Sequence, residues 1–195
     1  DGERYKRRWP MKPLTVLRAA DIKTAQTGYK KNAASQFIAG GTNLLDLMKK
    51  EIALPANIID INQIALKEIK TGNAGISIGA LALNSFVAEH AEIIKNYPLV
   101  AKALLAGASA QIRNMATTSG NILQRTRCPY FYDVAMPCNK RQPGTGCGAK
   151  EGLNRMSAIF GASENCVAVN PSDLCIALAA LDAKVIVQTD GKESS

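Results

Sequence analysis

The chain has 195 residues, of which 47% are hydrophobic and 21% are charged, a composition typical of a globular protein of one domain or two small lobes. The formal net charge of +8 would suit nucleic acid, but aromatic residues make up only 5% and no basic motif with stacking side chains is found. No apolar run approaches the ~20 residues of a membrane span, and no secretory signal follows the basic start. The charge instead suits an acidic partner subunit or an anionic cofactor.

Short strands alternate with helices along the first half of the chain. Hydrophobic periodicity predicts strands at residues 14–18, 36–39, 57–61 and 76–80. It predicts helices at residues 20–31, 44–50, 85–90 and 98–105. This alternation indicates a mixed fold of helices and strands, with connections short enough for ligand-binding loops.

The second half begins with an irregular stretch and ends in regular structure. Periodicity is lost over residues 128–152, after which Ser172 and Asp173 signal the start of a helix with an apolar body at 174–181. A strand is predicted at 184–188, followed by the hairpin turn Asp190-Gly191. The return strand of this hairpin is expected to lie beyond the end of the chain.

A strand that turns on two glycines into a helix forms the first candidate ligand-binding loop. Its residues are Phe37, Ile38, Ala39, Gly40, Gly41, Thr42, Asn43 and Leu44. Glycines allow close approach of a ligand to the backbone, and a helix start presents unpaired N–H groups. The loop therefore suits a diphosphate, although it is not the G-x-G-x-x-G of a Rossmann site and most Gly-Gly pairs are only turns.

A second loop, residues 116–122, repeats this chemistry. Its sequence, Ala-Thr-Thr-Ser-Gly-Asn-Ile, combines small residues, hydroxyls, one glycine and an asparagine. A polar turn capped by Thr and Asn would explain it equally well. Two such loops in one chain nevertheless favour a shared ligand.

The two loops resemble the paired FAD-binding loops of the molybdopterin dehydrogenase flavoprotein family. This family includes the FAD domain of xanthine dehydrogenase, the medium subunit of carbon monoxide dehydrogenase and the FAD subunit of bacterial aldehyde oxidoreductases. The resemblance runs from about Met11 to the end of the chain. It implies an α+β, PCMH-type FAD-binding fold of two α/β lobes, at 11–65 and 66–195, after a basic extension at 1–10. The C-terminal part of the natural subunit is expected to be missing.

The resemblance also implies which residues bind FAD. The first loop would wrap the diphosphate, and the second would hold diphosphate and ribityl oxygens through Thr117, Gly120, Asn121 and Gln124. Ser119 stands where many relatives carry a glycine, a change that should be tolerated. Asp173 resembles the acidic ligand on the flavin side of FAD, and its alternative role is to cap a helix.

Four of the five cysteines, Cys128, Cys138, Cys147 and Cys166, lie in or just after the irregular stretch. Their spacing, C-x9-C-x8-C-x18-C, matches neither a zinc ribbon nor a ferredoxin, because no C-x2-C occurs. Flanking Pro and Gly residues shape the loop, and nearby Lys and Arg residues would offset an anionic cluster. On the residues alone, two disulfides, a structural zinc and an iron–sulfur cluster all remain open. Cys175 is interpreted as a core residue of the last helix.

The runs 125–133 and 137–141 resemble the iron–sulfur insertion in FAD subunits of periplasmic aldehyde oxidoreductases. The Cys-rich insertion, residues 125–168, occupies the same place between the second FAD loop and the acidic segment. The resemblance therefore implies a [4Fe–4S] cluster held by Cys128, Cys138, Cys147 and Cys166.

The function implied is that of an FAD-dependent electron-transfer subunit of a molybdenum hydroxylase. A large subunit with a molybdenum cofactor would oxidise the substrate, and a small subunit with two [2Fe–2S] clusters would pass electrons to FAD and on to an external acceptor. No catalytic residue is expected in this chain, since the chemistry belongs to the cofactors. Two alternatives are a stand-alone PCMH-type flavin oxidoreductase and a zinc- or disulfide-stapled interaction domain.

The resemblance suggests a periplasmic location, reached by co-export with a partner subunit that carries the signal; the alternative is the cytoplasm. The single histidine, His90, is expected at the surface or at a helix end and is given no catalytic role.

Overall fold

A small parallel sheet with helices on both faces forms the first lobe in the computed structural model, which describes residues 13–195. The expected basic extension at 1–10 lies outside the described residues. The lobe consists of β1 (Thr15–Arg18), α1 (Ile22–Lys31), β2 (Ser35–Ile38), α2 (Leu44–Lys49) and β3 (Asn57–Asp60). Strand β3 is central, and the order of the sheet is β1-β3-β2.

Neighbouring isoleucines of the central strand divide the core of this lobe into two layers. Ile58 packs with Leu47 and Met48 beneath α2, whereas Ile59 packs with Ala25 of α1. Because successive side chains of a strand point to opposite faces, β3 packs against α2 on one face of the sheet and against α1 on the other. The short lobe thus holds the loop between β2 and α2 at the carboxyl edge of the sheet.

Asp21 caps the start of helix α1, whereas the periodicity placed this residue inside the predicted helix 20–31. The Asp21 carboxylate accepts a hydrogen bond from the Thr24 amide at 2.7 Å. This bond, together with the nearby Lys23, holds the pKa of the Asp21 carboxyl below its ordinary value. The cap thereby fixes where the chain leaves β1.

The second lobe is mainly helical. Its first part consists of the hairpin β4 (Ile69–Gly72) and β5 (Gly75–Ile78), then α3 (Asn84–Glu89), α4 (Ala91–Asn96), α5 (Pro98–Ala106), α6 (Ala110–Arg113) and α7 (Thr118–Ile122). Val87, Ile93, Leu104 and Leu174 form its buried centre. Leu174 comes from the last helix, so this core joins segments on both sides of the cysteine insertion.

The insertion contains only two short helices, α8 (Pro129–Tyr132) and α9 (Gly148–Glu151), which agrees with the predicted loss of periodicity. It is nonetheless anchored, because Phe131 and Cys138 are buried in the same cluster as Leu47 and Met48 of α2. The insertion therefore packs directly beneath the first glycine loop.

One expectation about the end of the chain is wrong. After α10 (Asp173–Ala180), strand β6 (Val187–Thr189) is followed at once by its return strand β7 (Lys192–Ser194). Asp190 and Gly191 have φ angles of 52° and 78°, which are the positive values that a two-residue hairpin turn requires. The return strand therefore lies inside the chain. Strand β6 shares only Val187 and Gln188 with the predicted strand 184–188.

The remaining predicted strands and helices are present with small shifts at their ends, and the α+β fold class is confirmed. Strand β4 and the helices α4, α6 and α7 were not predicted. Within residues 13–195, no helix has the length and apolar character needed to cross a membrane.

Replacing Ser172 by Ala is expected to destabilise the protein. The Ser172 hydroxyl is buried, accepts a hydrogen bond from the Cys175 amide at 3.2 Å and donates to Asn121 at 2.5 Å. Loss of both bonds should lower the free energy of unfolding in urea by about 1–2 kcal/mol. Ser77→Ala, at an exposed position of β5, should change it by less than about 0.5 kcal/mol. Equal values for the two variants would contradict the cap.

Candidate functional site

A cleft of about 510 Å³ lies where the first lobe, the second lobe and the cysteine insertion meet. Ten of the predicted FAD-binding residues line it: Phe37, Ile38, Ala39, Gly40, Gly41, Thr42, Asn43, Leu44, Thr117 and Gly120. The two loops that were paired by their chemistry are thus brought to one site. The volume is within the range of small-molecule sites.

Gly40 allows the two loops to touch through their backbones. A Cβ atom at this position would overlap the carbonyl oxygen of Met115 and lie 2.6 Å from its carbonyl carbon. Gly41 has a φ angle of +72°, a conformation that other residues adopt at a cost. Asn62, which the sequence did not single out, supports the turn by donating to the Ala39 carbonyl at 3.0 Å.

The first loop presents a set of free hydrogen-bond donors. Among residues 13–195, the amides of Gly40, Gly41, Thr42 and Asn43 have no acceptor. The Asn43 side-chain amide nitrogen is also buried without a partner in the described chain. Leaving the buried Asn43 nitrogen unpaired costs about 1–3 kcal/mol, and a row of open backbone amides is typical of positions where an anionic ligand binds. A diphosphate fits this loop.

The second loop differs, because its amides are already used. The N–H groups of residues 118–121 donate to the carbonyls of Ala80, Ala82 and Thr117 and to the Thr117 hydroxyl. These bonds fix the loop rigidly against the second lobe. Thr117, Ser119 and Gly120 consequently serve as a wall of the cleft, while most of the open amides belong to the first loop.

Three predicted FAD ligands do not line the cleft. Asn121 accepts hydrogen bonds from Gln124 at 3.1 Å and from Ser172 at 2.5 Å, so it connects α7 to the start of α10. Asp173 is exposed near Gly107, and the cap of α10 is Ser172. Binding of FAD by these three residues stays a prediction.

The cysteine insertion contributes a cationic wall that sequence reasoning did not assign to the cleft. Arg125, Lys140 and Arg141 line it, together with Phe131 and, just before the insertion, Leu123. No Asp or Glu is found among the described lining residues. The sequence does show many basic residues in the insertion. They were interpreted as offsetting the charge of a cluster bound by the cysteines, and not as part of the FAD cleft.

The backbone brings the four cysteines of the insertion toward one region. Cys138 and Cys147 face each other in an isolated antiparallel bridge, and Cys128 packs in the hydrophobic cluster that includes Cys138. Asn139 donates to the carbonyl of Asn165 at 2.9 Å, which ties the segment before Cys166 to the same place.

All five cysteines are free thiols. In the described part of the chain, no three Cys, His, Asp or Glu side chains come close enough together to hold a metal ion. Four thiols are the correct donor set for an iron–sulfur cluster. Ligation by Cys128, Cys138, Cys147 and Cys166 stays a prediction.

A glycine loop with open amides that faces cations across a cleft defines a site for a phosphate-bearing cofactor. Residues 11–195 match the family described as the FAD binding domain in molybdopterin dehydrogenase. The chain belongs to this family. The predicted resemblance is therefore confirmed, as is the PCMH-type FAD-binding fold.

Individual relatives agree. The chain is 49% identical over 187 residues to the aldehyde oxidoreductase FAD-binding subunit PaoB of Escherichia coli (strain K12), covering 95% of this chain and 59% of that protein. It is 34% identical over 89 residues to the carbon monoxide dehydrogenase medium chain of Hydrogenophaga pseudoflava, covering 45% of this chain and 31% of that one.

A solved structure supports the fold. Carbon monoxide dehydrogenase from Hydrogenophaga pseudoflava, in a form that lacks the Mo-pyranopterin moiety of its cofactor, aligns with a TM-score of 0.56 and 27% identity. The alignment covers 58% of this chain and 40% of that chain. The chain thus spans only about three fifths of the Escherichia coli subunit, at 59% of its length, and less of the other relatives.

Gly40→Ala is expected to abolish most FAD binding. The added methyl group overlaps the Met115 carbonyl, so the two loops must separate and the cleft must widen. The flavin content of the purified protein, measured by absorbance after denaturation, should fall, because about 1–3 kcal/mol of overpacking raises the dissociation constant for FAD roughly five- to 150-fold. The matched control is Gly72→Ala, where a Cβ atom meets nothing within 4 Å. Full flavin content in Gly40→Ala would show that loop contact is not required.

Proposed function

We propose that this chain is the FAD-binding electron-transfer subunit of a molybdenum hydroxylase, of the aldehyde oxidoreductase or xanthine dehydrogenase type. The observation that carries the proposal is the row of open amides at residues 40–43 in a cleft bordered by cations. Membership of the family and the 49% identity to an aldehyde oxidoreductase subunit support it.

The chain's own residues would bind and orient the cofactor. The amides of Gly40 to Asn43 would donate to the diphosphate, and Thr117 and Gly120 would form a wall of its cleft. Apolar side chains, among them Ile38 and Leu44, also line the cleft and would contact the cofactor. FAD, when bound, accepts and releases the electrons, and no group of this chain takes part in substrate oxidation.

The insertion would hold a [4Fe–4S] cluster through Cys128, Cys138, Cys147 and Cys166. The convergence of their backbone segments supports this assignment. The many Lys and Arg residues of the insertion support it as well. Cysteine thiolates are the ligands of such a cluster, and the surrounding cations would offset its negative charge.

The partners would be a large subunit with a molybdenum cofactor and a small subunit with two [2Fe–2S] clusters, from which FAD receives electrons for an external acceptor. The proposed substrate class is aldehydes, in line with the Escherichia coli relative. The proposed location is the periplasm, by co-export with a partner, with the cytoplasm as the alternative. No nucleic acid is proposed as a partner.

A visible absorption spectrum of the purified complex separates this proposal from its rivals. Flavin and iron–sulfur bands together support it. Flavin bands alone would favour a stand-alone PCMH-type flavin oxidoreductase, and the absence of both would favour a zinc- or disulfide-stapled interaction domain.

Replacement of one insertion cysteine is expected to remove the cluster. Cys147→Ser should lower the iron and acid-labile sulfide bound per complex by about four atoms each, because a [4Fe–4S] cluster needs its thiolates. Cys175→Ser is the matched control, since Cys175 lies in α10 outside the insertion. Iron content that is the same in Cys147→Ser and the unchanged complex would contradict the cluster assignment and leave FAD binding untouched.

A further inference from the structure

We propose that the cysteine insertion is itself part of the FAD site, with the Lys140 ammonium group binding the diphosphate opposite the first glycine loop. The inference rests on the proposed binding of FAD in this cleft. It assigns a second function to the insertion, which is otherwise explained only by its cysteines. Three observations carry it.

First, Lys140 is the cation of this wall that the protein leaves free. Among residues 13–195, its ammonium group has no hydrogen-bond or ion-pair partner. Arg141 donates to the carbonyls of Tyr130 and Phe131 at 2.7 and 2.9 Å, so its guanidinium holds the insertion together. Arg125 lies 5.2 Å from the centre of the Phe131 ring and donates to a carbonyl. Of these three cations, Lys140 alone has all its donors unused by the described residues.

Second, a chain of hydrogen bonds connects Lys140 to the first loop. The side-chain oxygen of Asn43 accepts from the Arg125 amide at 2.9 Å, and the Arg125 guanidinium donates to the Lys140 carbonyl at 3.0 Å. The same Asn43 holds the buried, unpaired amide nitrogen. Arg125 and Asn43 are therefore positioning residues for Lys140, and the open amides and the ammonium group border one cleft.

Third, the insertion is fixed to α2, the helix that follows the glycine loop. Tyr132 donates to the Asp46 carboxylate at 3.3 Å, and Phe131 and Cys138 are buried against Leu47 and Met48. Lys140 follows Cys138 by two residues, so its backbone is held close to this anchor. The anchor restrains the backbone at Lys140, so only the side chain has to become ordered when the ammonium group binds a phosphate.

The test is a titration of the deflavinated complex with FAD, followed by flavin fluorescence. Lys140→Gln should raise the dissociation constant about tenfold at low salt, because a charge-assisted hydrogen bond is lost. The difference should shrink as salt screens this exposed pair. Lys140→Arg should stay within about threefold of the unchanged complex, since it keeps the charge. Lys150→Gln, at an exposed position of α9 in the same insertion, should bind FAD normally.

Normal FAD affinity in Lys140→Gln would overturn the inference, as would equal losses of affinity in Lys140→Gln and Lys140→Arg. Loss of iron in Lys140→Gln but not in Lys150→Gln would also overturn it, because Lys140 would then act on the structure of the insertion. An unchanged complex that binds no FAD would instead refute the proposed function, so the two failures are distinguishable.

Discussion

The close contact of two backbones at Gly40 is the constraint on which the site depends. The turn after β2 lies directly against the Met115 carbonyl, with no room for a side chain between them. The contact brings the start of α2 to the start of α7, although the two loops are more than seventy residues apart. It leaves the first loop's amides facing a cleft, while the second loop's amides are bonded to the lobe behind them. One loop thus supplies the donors, and the other supplies a rigid wall.

Much of the fold was predictable, because its signals are local. The alternation at Ile58 and Ile59 marks a strand buried on both faces, and Ser172 marks a helix start that the structure contains. The hairpin at Asp190 and Gly191 was also recognised by its turn. Its return strand was misplaced because three polar residues, Lys192 to Ser194, carry no hydrophobic alternation and pair through the backbone alone.

The site was predictable in part, for a related reason. Glycine loops have a sequence signature, so Gly40 to Asn43 and Thr117 to Gly120 could be assigned before their positions were known. The cationic wall could not, since Lys140 approaches the first loop only through tertiary contacts of an irregular segment. Asn43 illustrates the limit: its hydrogen bond to the Arg125 amide spans 82 residues and leaves no pattern in the sequence.

The insertion shares a core with the FAD-binding lobe. Phe131 and Cys138 are buried in the hydrophobic cluster that supports α2, so the insertion is packed as part of the first lobe. A change in the packing of the insertion would therefore alter the position of the glycine loop, because packed cores transmit strain. A segment that gathers cysteines can therefore also shape the neighbouring cofactor cleft, and this physical connection unites the two halves of the proposed function.

Hydrogen–deuterium exchange of the complex with and without FAD tests the central claim most directly. The amides of residues 40–43, which have no acceptor in the described protein, should exchange rapidly without FAD and become strongly protected when it binds. The amides of residues 118–121, already bonded, should change much less. Protection that spares residues 40–43 would contradict the assignment of this loop to the diphosphate.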